Sequence, residues 1–398
     1  MRLPVWLLGF ANAPVGWIGG LALLTVPQLL AARHVPEPVI AVVTTAALAA
    51  GFAAFLFGPF VDIWLPRRTW ATIFTVLTAL AAGVAILWSS NLVALAAALV
   101  FGLLAAQLNY TAIGGWFGEM IDEGADSTLG AWLNVANIGG FGVFAMVGIG
   151  VMRALPGPLA AIVLALPCLL PLLIYAVTPC PPPSSRLAHE SFRQFFADLG
   201  ALLRRPIVLQ SLLIFLMPSA SFALTNTLGG LGRDYGASES FVSVIGGAAA
   251  ILAGVVGSLI VPPLAKRLPT RPLYIGIGAL GALFTLSLIV LPKTPALYAA
   301  AMIGQNVAQS AALATVAVIA LQSLGKDNPF AATQFGLLIC ASVVPITYMQ
   351  MVDGHAYGAG KLTLMYLADG GLGLTACALM AVLLWRWAKP TATPSASG

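Results

Sequence analysis

About twelve apolar stretches, each near 20 residues long, follow one another along this chain. They lie near 5–31, 38–61, 69–89, 92–118, 128–152, 157–178, 207–231, 240–265, 272–291, 295–323, 329–352 and 362–387. A hydrocarbon core about 30 Å thick is crossed by roughly 20 helical residues. Inside lipid every backbone N–H and C=O must find its partner within the protein, which leaves helices and closed barrels as spanning structures. These runs are far too long for barrel strands. With 60% hydrophobic and only 8% charged residues, the chain has too little polar surface for a water-soluble domain. The expected fold class is therefore an all-α membrane protein of about twelve transmembrane helices.

Two loops share a frame. GPFVDIWLPRR occupies 58–68, and VPPLAKRLPTR occupies 261–271. Pro59, Leu65, Pro66 and Arg68 of the first align with Pro262, Leu268, Pro269 and Arg271 of the second, 203 positions later. A duplicated loop at half the chain length predicts two pseudo-symmetric six-helix bundles, 1–178 and 207–389. Residues 179–206 would join them, and 390–398 would form a disordered tail.

Basic residues set the orientation. On this placement, thirteen of the 18 Lys and Arg lie on one side, which makes that side cytoplasmic. Both termini then face the cytoplasm, and the protein is expected in a bacterial-type inner membrane. The net charge of +5 is explained by topology, and nucleic acid is not an expected partner. The first apolar run is long and lacks a small-residue cleavage site, so it reads as a span, not a removable signal.

In 179–206, a proline cluster ends the sixth run. Leu187, Phe192, Phe195, Phe196, Leu199, Leu202 and Leu203 then recur at helical spacing, with charged residues on the other face. This predicts an amphipathic helix lying along the cytoplasmic interface.

Catalytic chemistry has little foothold. Cys168, Cys180, Cys340 and Cys377 show no metal-ligand spacing, and His34, His189 and His355 all lie outside the spans. HExxH and Gly-x-Ser-x-Gly motifs are absent. Neither enzyme activity, nor a cofactor, nor a metal is expected.

Polar side chains within spans are costly unless they face protein or water. They concentrate at Asn12 and Gln28 in the first span, Gln107, Asn109 and Tyr110 in the fourth, and Thr225 and Asn226 in the seventh. The tenth carries Gln305, Asn306, Gln309 and Ser310. These amides are candidates to line a solute cavity; interhelical hydrogen bonds are the competing reading. Asn134 and Asn137, and the spaced glycines Gly16, Gly20, Gly114 and Gly118, read as close-packing positions. Gly58, Asp62, Arg67, Arg68 and Arg271 form a candidate gate, because a carboxylate beside two arginines can latch one face shut. Arg271 should matter less than Arg68, since Ala265 stands where the first loop has Asp62. Asp369, Asp353, His355 and Glu119 are the ionisable groups near the membrane, and Asp369 with Asp353 are the candidates for proton coupling.

The pattern Gly58-x-x-x-Asp62 followed by paired arginines resembles the loop signature of the major facilitator superfamily. Ile63 and Pro66 depart from it, standing where that family usually has a basic residue and a glycine. The stretch 55–62, FLFGPFVD, resembles the end of the second helix in AmpG-type muropeptide permeases, and 332–338, ATQFGLL, resembles their eleventh-helix stretch. Relatives often carry an acidic residue in helix four, where this chain has Gln107-Leu-Asn109-Tyr110-Thr111. The resemblance implies a monomeric transporter whose helices 1, 4, 7 and 10 line a central cavity and whose halves rock around it. The partners expected are a small-molecule substrate, protons and the lipid bilayer. The cavity residues named above include no Lys or Arg, so a neutral or weakly charged solute fits, such as a muropeptide or amino-sugar derivative. A siderophore importer, a drug exporter and a non-transporting membrane sensor or scaffold remain alternatives.

Overall fold

The computed structural model describes residues 3–63, 65–122, 124–180, 197, 200–325 and 328–388. All regular structure among them is helical. Six helices form the first half: α1 (Val5–Ala32), α2 (Pro38–Asp62), α3 (Arg67–Leu87), α4 (Leu92–Met120), α5 (Asp126–Ala154) and α6 (Gly157–Val177). In the second half, α7 begins as Pro206–Leu216 and resumes at Leu224–Thr227. It is followed by α8 (Glu239–Ala265), α9 (Thr270–Val290) and α10 (Pro295–Leu324). The last helical run, Ala331–Ala388, is broken by non-helical backbone at Gly360 and Lys361 into α11 (331–359) and α12 (362–388). Among the described residues ten helices are long and apolar enough to cross a membrane. The last is double length and α7 is short and interrupted, so with these the helical segments number the twelve expected. The predicted amphipathic segment of the linker falls largely outside the described residues, as do Glu123 and the tail 390–398.

Local chemistry sets the helix starts. The Asn91 side chain accepts from the N–H groups of Val93 and Ala94, capping α4. Ser238 and Thr294 do the same for α8 and α10. Prolines occupy the first turns of α2, α6, α7 and α10, where a missing N–H costs nothing.

Several helices are irregular, and α1 and α7, the first helix of each half, are among them. In α1, Phe10–Asn12 tighten to a 3-10 turn and Leu21–Thr25 widen to a π turn. In α7, Met217 is extended before Pro218, as the residue preceding proline prefers. Phe222 then takes φ 48°, a region that disfavours any side chain, and α7 resumes only after it. In membranes such breaks survive where protein or a cavity covers them.

Small residues allow close helix contact. A Cβ on Gly140 would meet the Ala13 carbonyl at 2.5 Å, and one on Gly115 would meet the Ala332 nitrogen at 2.6 Å. Gly130 packs on Val318 and Gly142 on Ile251. The last three contacts join helices of different halves, α4 to α11, α5 to α10 and α5 to α8. Large apolar residues such as Leu80, Leu173 and Val290 point outwards, as they should where the surrounding medium is hydrocarbon.

Candidate functional site

The candidate gate is the most densely bonded polar cluster between the halves. The first-turn N–H groups of a helix lack intrahelical partners, and an Asp or Asn at the N-cap usually supplies one. The residue before α11 is Phe330, which has no such side chain. The missing acceptor comes from the other half. Asp62, at the end of α2, accepts the N–H of Ala332 at 3.1 Å through Oδ1. Its Oδ2 accepts both the N–H and the hydroxyl of Thr333, at 2.8 and 2.7 Å. A buried carboxylate needs a counter-charge. Arg67 provides it, with Nε donating to Asp62 Oδ1 at 3.0 Å. The same guanidinium reaches Glu119 on α4 at 2.6 Å and the Asn328 carbonyl before α11 at 3.3 Å. One arginine thus ties α2, α3, α4 and the start of α11 together. Gly58 leaves room for Thr333, since a Cβ there would stand 3.1 Å from the Thr333 Cα. Leu202, at the end of the linker, packs with Phe330 and Ile63 beside this seal.

Arg68 and Arg271 lie elsewhere. Arg68 donates to the Ala176 carbonyl of α6 at 3.1 Å. Arg271 donates to the Ile207 carbonyl and the Ser211 hydroxyl of α7. Each braces its own half, so the expected pairing of Asp62 with either arginine narrows to Arg67.

Beyond the seal, between the halves, lies a cavity of about 270 Å³. Its polar lining is Gln107 and Tyr110 of α4, Asn134 and Asn137 of α5, and Ser342 of α11. The apolar lining includes Phe52, Leu103, Phe141 and Val316. Among the described residues no Lys, Arg, Asp or Glu borders it. Gln107 Oε1 has no hydrogen-bond partner among them, leaving an acceptor for a guest. Tyr110 meets Phe335 of α11 edge-on, 5.2 Å between ring centres, on the seal side. Asn134 donates across the seam to the Ser258 hydroxyl at 2.9 Å and the Ser310 carbonyl at 3.1 Å. Asn134 and Asn137, read from sequence as close-packing positions, also belong to the cavity wall. Their signal was two amides at i and i+3 on one helical face.

The remaining expected cavity residues sit apart from it. Asn12 donates to the Leu133 carbonyl at 3.0 Å. Asn109 is fully buried, donating to the Ala11 carbonyl and accepting from Thr75 and Tyr175. Gln305 is also fully buried and donates to the Thr285 hydroxyl of α9 at 2.7 Å. Gln309 donates to the Phe222 carbonyl and the Thr225 hydroxyl, at 3.3 and 2.8 Å, which clamps the break in α7. Asn306 bonds its own helix at the Met302 carbonyl. Asn226 is exposed. For Asn12, Asn109, Gln305 and Gln309 the competing reading, bonds within and between helices, describes the geometry. Asp353, one residue beyond the expected eleventh stretch of 329–352, lies within α11 and is fully buried. Asp369 is buried in α12, beside the break in α7.

Two helical halves around a central cavity, with a carboxylate seal across one end, define the architecture of a secondary membrane transporter. The Major Facilitator Superfamily model matches residues 6–348, and the chain belongs to that family. No curated protein matches it. Among solved structures it is similar to a variant of the Escherichia coli fucose:proton symporter FucP, with TM-score 0.71 and 15% identity over 97% of this chain and 98% of that one. It is also similar to the proton:xylose symporter XylE bound to 6-bromo-6-deoxy-D-glucose, with TM-score 0.70 and 14% identity over 97% and 95%. A bacterial homologue of the iron transporter ferroportin in the outward-facing state gives TM-score 0.68 and 15% identity over 97% and 99%. At these identities the likeness is one of fold.

Proposed function

We propose that this chain is an inner-membrane permease that moves a neutral, hydrogen-bonding solute by alternating access, with both termini in the cytoplasm. The observation that carries the reading is the Asp62 carboxylate capping α11 from the opposite half. Such a contact exists only while the two halves are closed on that side, and the cavity lies beyond it. The side that carries Asp62 is the one rich in Lys and Arg, so this state is closed to the cytoplasm. The halves are taken as 1–178 and 207–389, acting as a monomer.

The substrate follows from the wall. Amides, a phenol and a hydroxyl, with aromatic and aliphatic surface between them, suit a polyhydroxylated or amidated molecule without net charge. A cavity of about 270 Å³ stands at the lower edge of the usual range for small-molecule sites, roughly 300–1,000 Å³. This favours a guest of sugar or amino-sugar size in the present state. The two stretches that resemble AmpG-type permeases, 55–62 and 332–338, are the two faces of the seal, which supports a cell-wall amino sugar as the class to try first. The similarity in fold to two sugar symporters points the same way. Coupling to protons is assigned to Asp369 and Asp353.

The test is uptake of labelled amino sugars into liposomes containing only this protein, after a melting-temperature screen of amino sugars, muropeptides, siderophores and neutral sugars. Saturable uptake of a hit, lost in Gln107→Ala, supports the reading. Binding without any uptake would instead mark a non-transporting sensor.

A further inference from the structure

At the end of the first half away from the seal, the ends of α1, α3 and α5 and the start of α6 enclose a second cavity of about 320 Å³. Its polar lining is Thr25 and Gln28 of α1, Arg33 just beyond that helix, Ser89 just beyond α3, and Arg153 of α5. Among the described residues no Asp or Glu borders it. The first turn of α6 adds Gly157 and Ala160 to the wall, and with them the partial positive charge of a helix N-terminus.

The donors here are positioned but not used up. Arg33 is fixed by Ser89, with Nη1 donating to the carbonyl at 2.6 Å and Nη2 to the hydroxyl at 3.4 Å. A guanidinium carries more N–H groups than those two bonds consume, and it cannot accept. No described side chain offers Arg33 or Arg153 a carboxylate. Thr25 is fully buried, and its hydroxyl has no partner among the described residues. Elsewhere in this chain helical threonines bond the carbonyl one turn back, as Thr72, Thr78 and Thr111 do with Arg68, Phe74 and Gln107. In the π turn of α1 the Val26 N–H bonds the Leu21 carbonyl, and the Thr25 hydroxyl stays unused in the cavity wall. A buried hydroxyl without a partner is costly, which favours a guest that accepts its proton.

The other basic residues on this face are answered in other ways. Arg233 pairs with Glu239, Lys293 is held by the carbonyls of Leu288, Ile289 and Leu291, and Lys361 lies over the Tyr357 ring. Arg33 and Arg153 instead share one cavity, where like charges repel unless an anion lies with them. The donors come from separate helices, and so from several directions. A tetrahedral anion with several oxygens can accept from all of them, and the guanidinium fork matches its geometry.

We infer that this cavity is a binding site for a phosphate group, taken up by Arg33, Arg153 and Thr25. The phosphate is that of an anionic lipid head group in the adjoining leaflet, or a free ion. Leu29, Ile149 and Met152 in the wall suit the carbon skeleton of a head group. The site lies apart from the central cavity, and the inference does not rest on the transport reading.

The test uses purified full-length protein stripped of lipid. Native mass spectrometry counts retained phosphatidylglycerol against phosphatidylcholine, and melting temperature is followed against sodium phosphate and against sodium chloride at equal ionic strength. A head-group site retains phosphatidylglycerol over phosphatidylcholine and is indifferent to phosphate. A free-ion site gives a saturable rise in melting temperature with phosphate and no preference between the lipids. Either supports the proposal, and in both the Arg33→Gln, Arg153→Gln double variant should bind at least tenfold more weakly, with Thr25→Val weakened less. Arg233→Gln, on the same face but outside the cavity, should bind as wild type. Both arginines of the site are exposed, so their replacement should leave the fold intact; if the double variant fails to fold, each single variant must show a weakened response. A wild type that prefers neither ligand over its control, arginine variants that bind as wild type, or an equal loss in Arg233→Gln overturns the inference.

Discussion

The Asp62 carboxylate accepts both the backbone N–H and the hydroxyl of Thr333, at 2.8 and 2.7 Å, across 271 positions of chain and from one half of the molecule to the other. Charge-assisted bonds of this kind contribute about 1.5–3 kcal/mol each. An anion at a helix N-terminus adds about 0.3–1 kcal/mol, and up to ~2 when partly buried. On the proposed alternating-access reading these bonds favour the closed arrangement, against the cost of burying the carboxylate. Asp62→Asn keeps the shape but removes the charge and leaves Arg67 without that partner. Initial transport rates should fall while the protein still folds, as measured by uptake and by size-exclusion profile.

Arg67 and Arg68, adjacent in sequence, should differ sharply. Arg67 bridges Asp62 and Glu119 and is mostly buried, so Arg67→Ala should cost about 3–5 kcal/mol, the usual penalty for breaking a buried pair. Arg68 is bonded to one carbonyl, so Arg68→Ala should cost about 1 kcal/mol or less, and Arg271→Ala should behave similarly. Melting temperatures of the three variants check this ordering. Equal effects at 67 and 68 would contradict the bridge.

Gln107→Ala should weaken substrate binding by about 1–3 kcal/mol and leave melting nearly unchanged, because Gln107 lines the cavity and its Oε1 has no partner among the described residues. Gln305→Ala should do the reverse, since its amide bonds Thr285 inside the second half. Isothermal titration with the substrate, set beside thermal denaturation, separates the two patterns.

Gly115→Val should favour the open seal, because even a Cβ there stands 2.6 Å from the Ala332 nitrogen. Combined with Asp62→Asn it should add little, as both changes act on the packing of α11 at Ala332 against the first half. Additive shifts in a distance measurement would show that the two contacts work independently.

The helices were legible because lipid imposes one rule on every backbone group, and a run of apolar residues records it directly. The duplicated loop likewise announced two halves, and Gly58, Asp62 and Arg67 fall at the seal. The partner of Asp62 was not legible. A cap on α11 supplied from α2 leaves no local mark, since the sequence before Ala331 shows only a missing cap at Phe330. The amides misled for a related reason. A polar residue in a span announces that it needs a partner, but not whether that partner is a solute or another helix. Gln107 faces the cavity and Gln305 faces Thr285, though composition treats them alike. The break in α7 was written in Met217-Pro218 and the serines beyond it, yet the surrounding hydrophobicity hid it within one long run.

The central claim, that Asp62 holds the two halves closed on its side, is tested most directly by spin-label distances across that face. Leu65 and Leu268 are exposed, lie in the duplicated loops of opposite halves, and can be replaced by labelled cysteine after Cys168, Cys180, Cys340 and Cys377 are removed. Double electron–electron resonance should then give one short distance population in the otherwise wild-type protein. Asp62→Asn should add a distinctly longer population. An unchanged distribution in the Asp62→Asn protein, with uptake also unchanged, would contradict the claim.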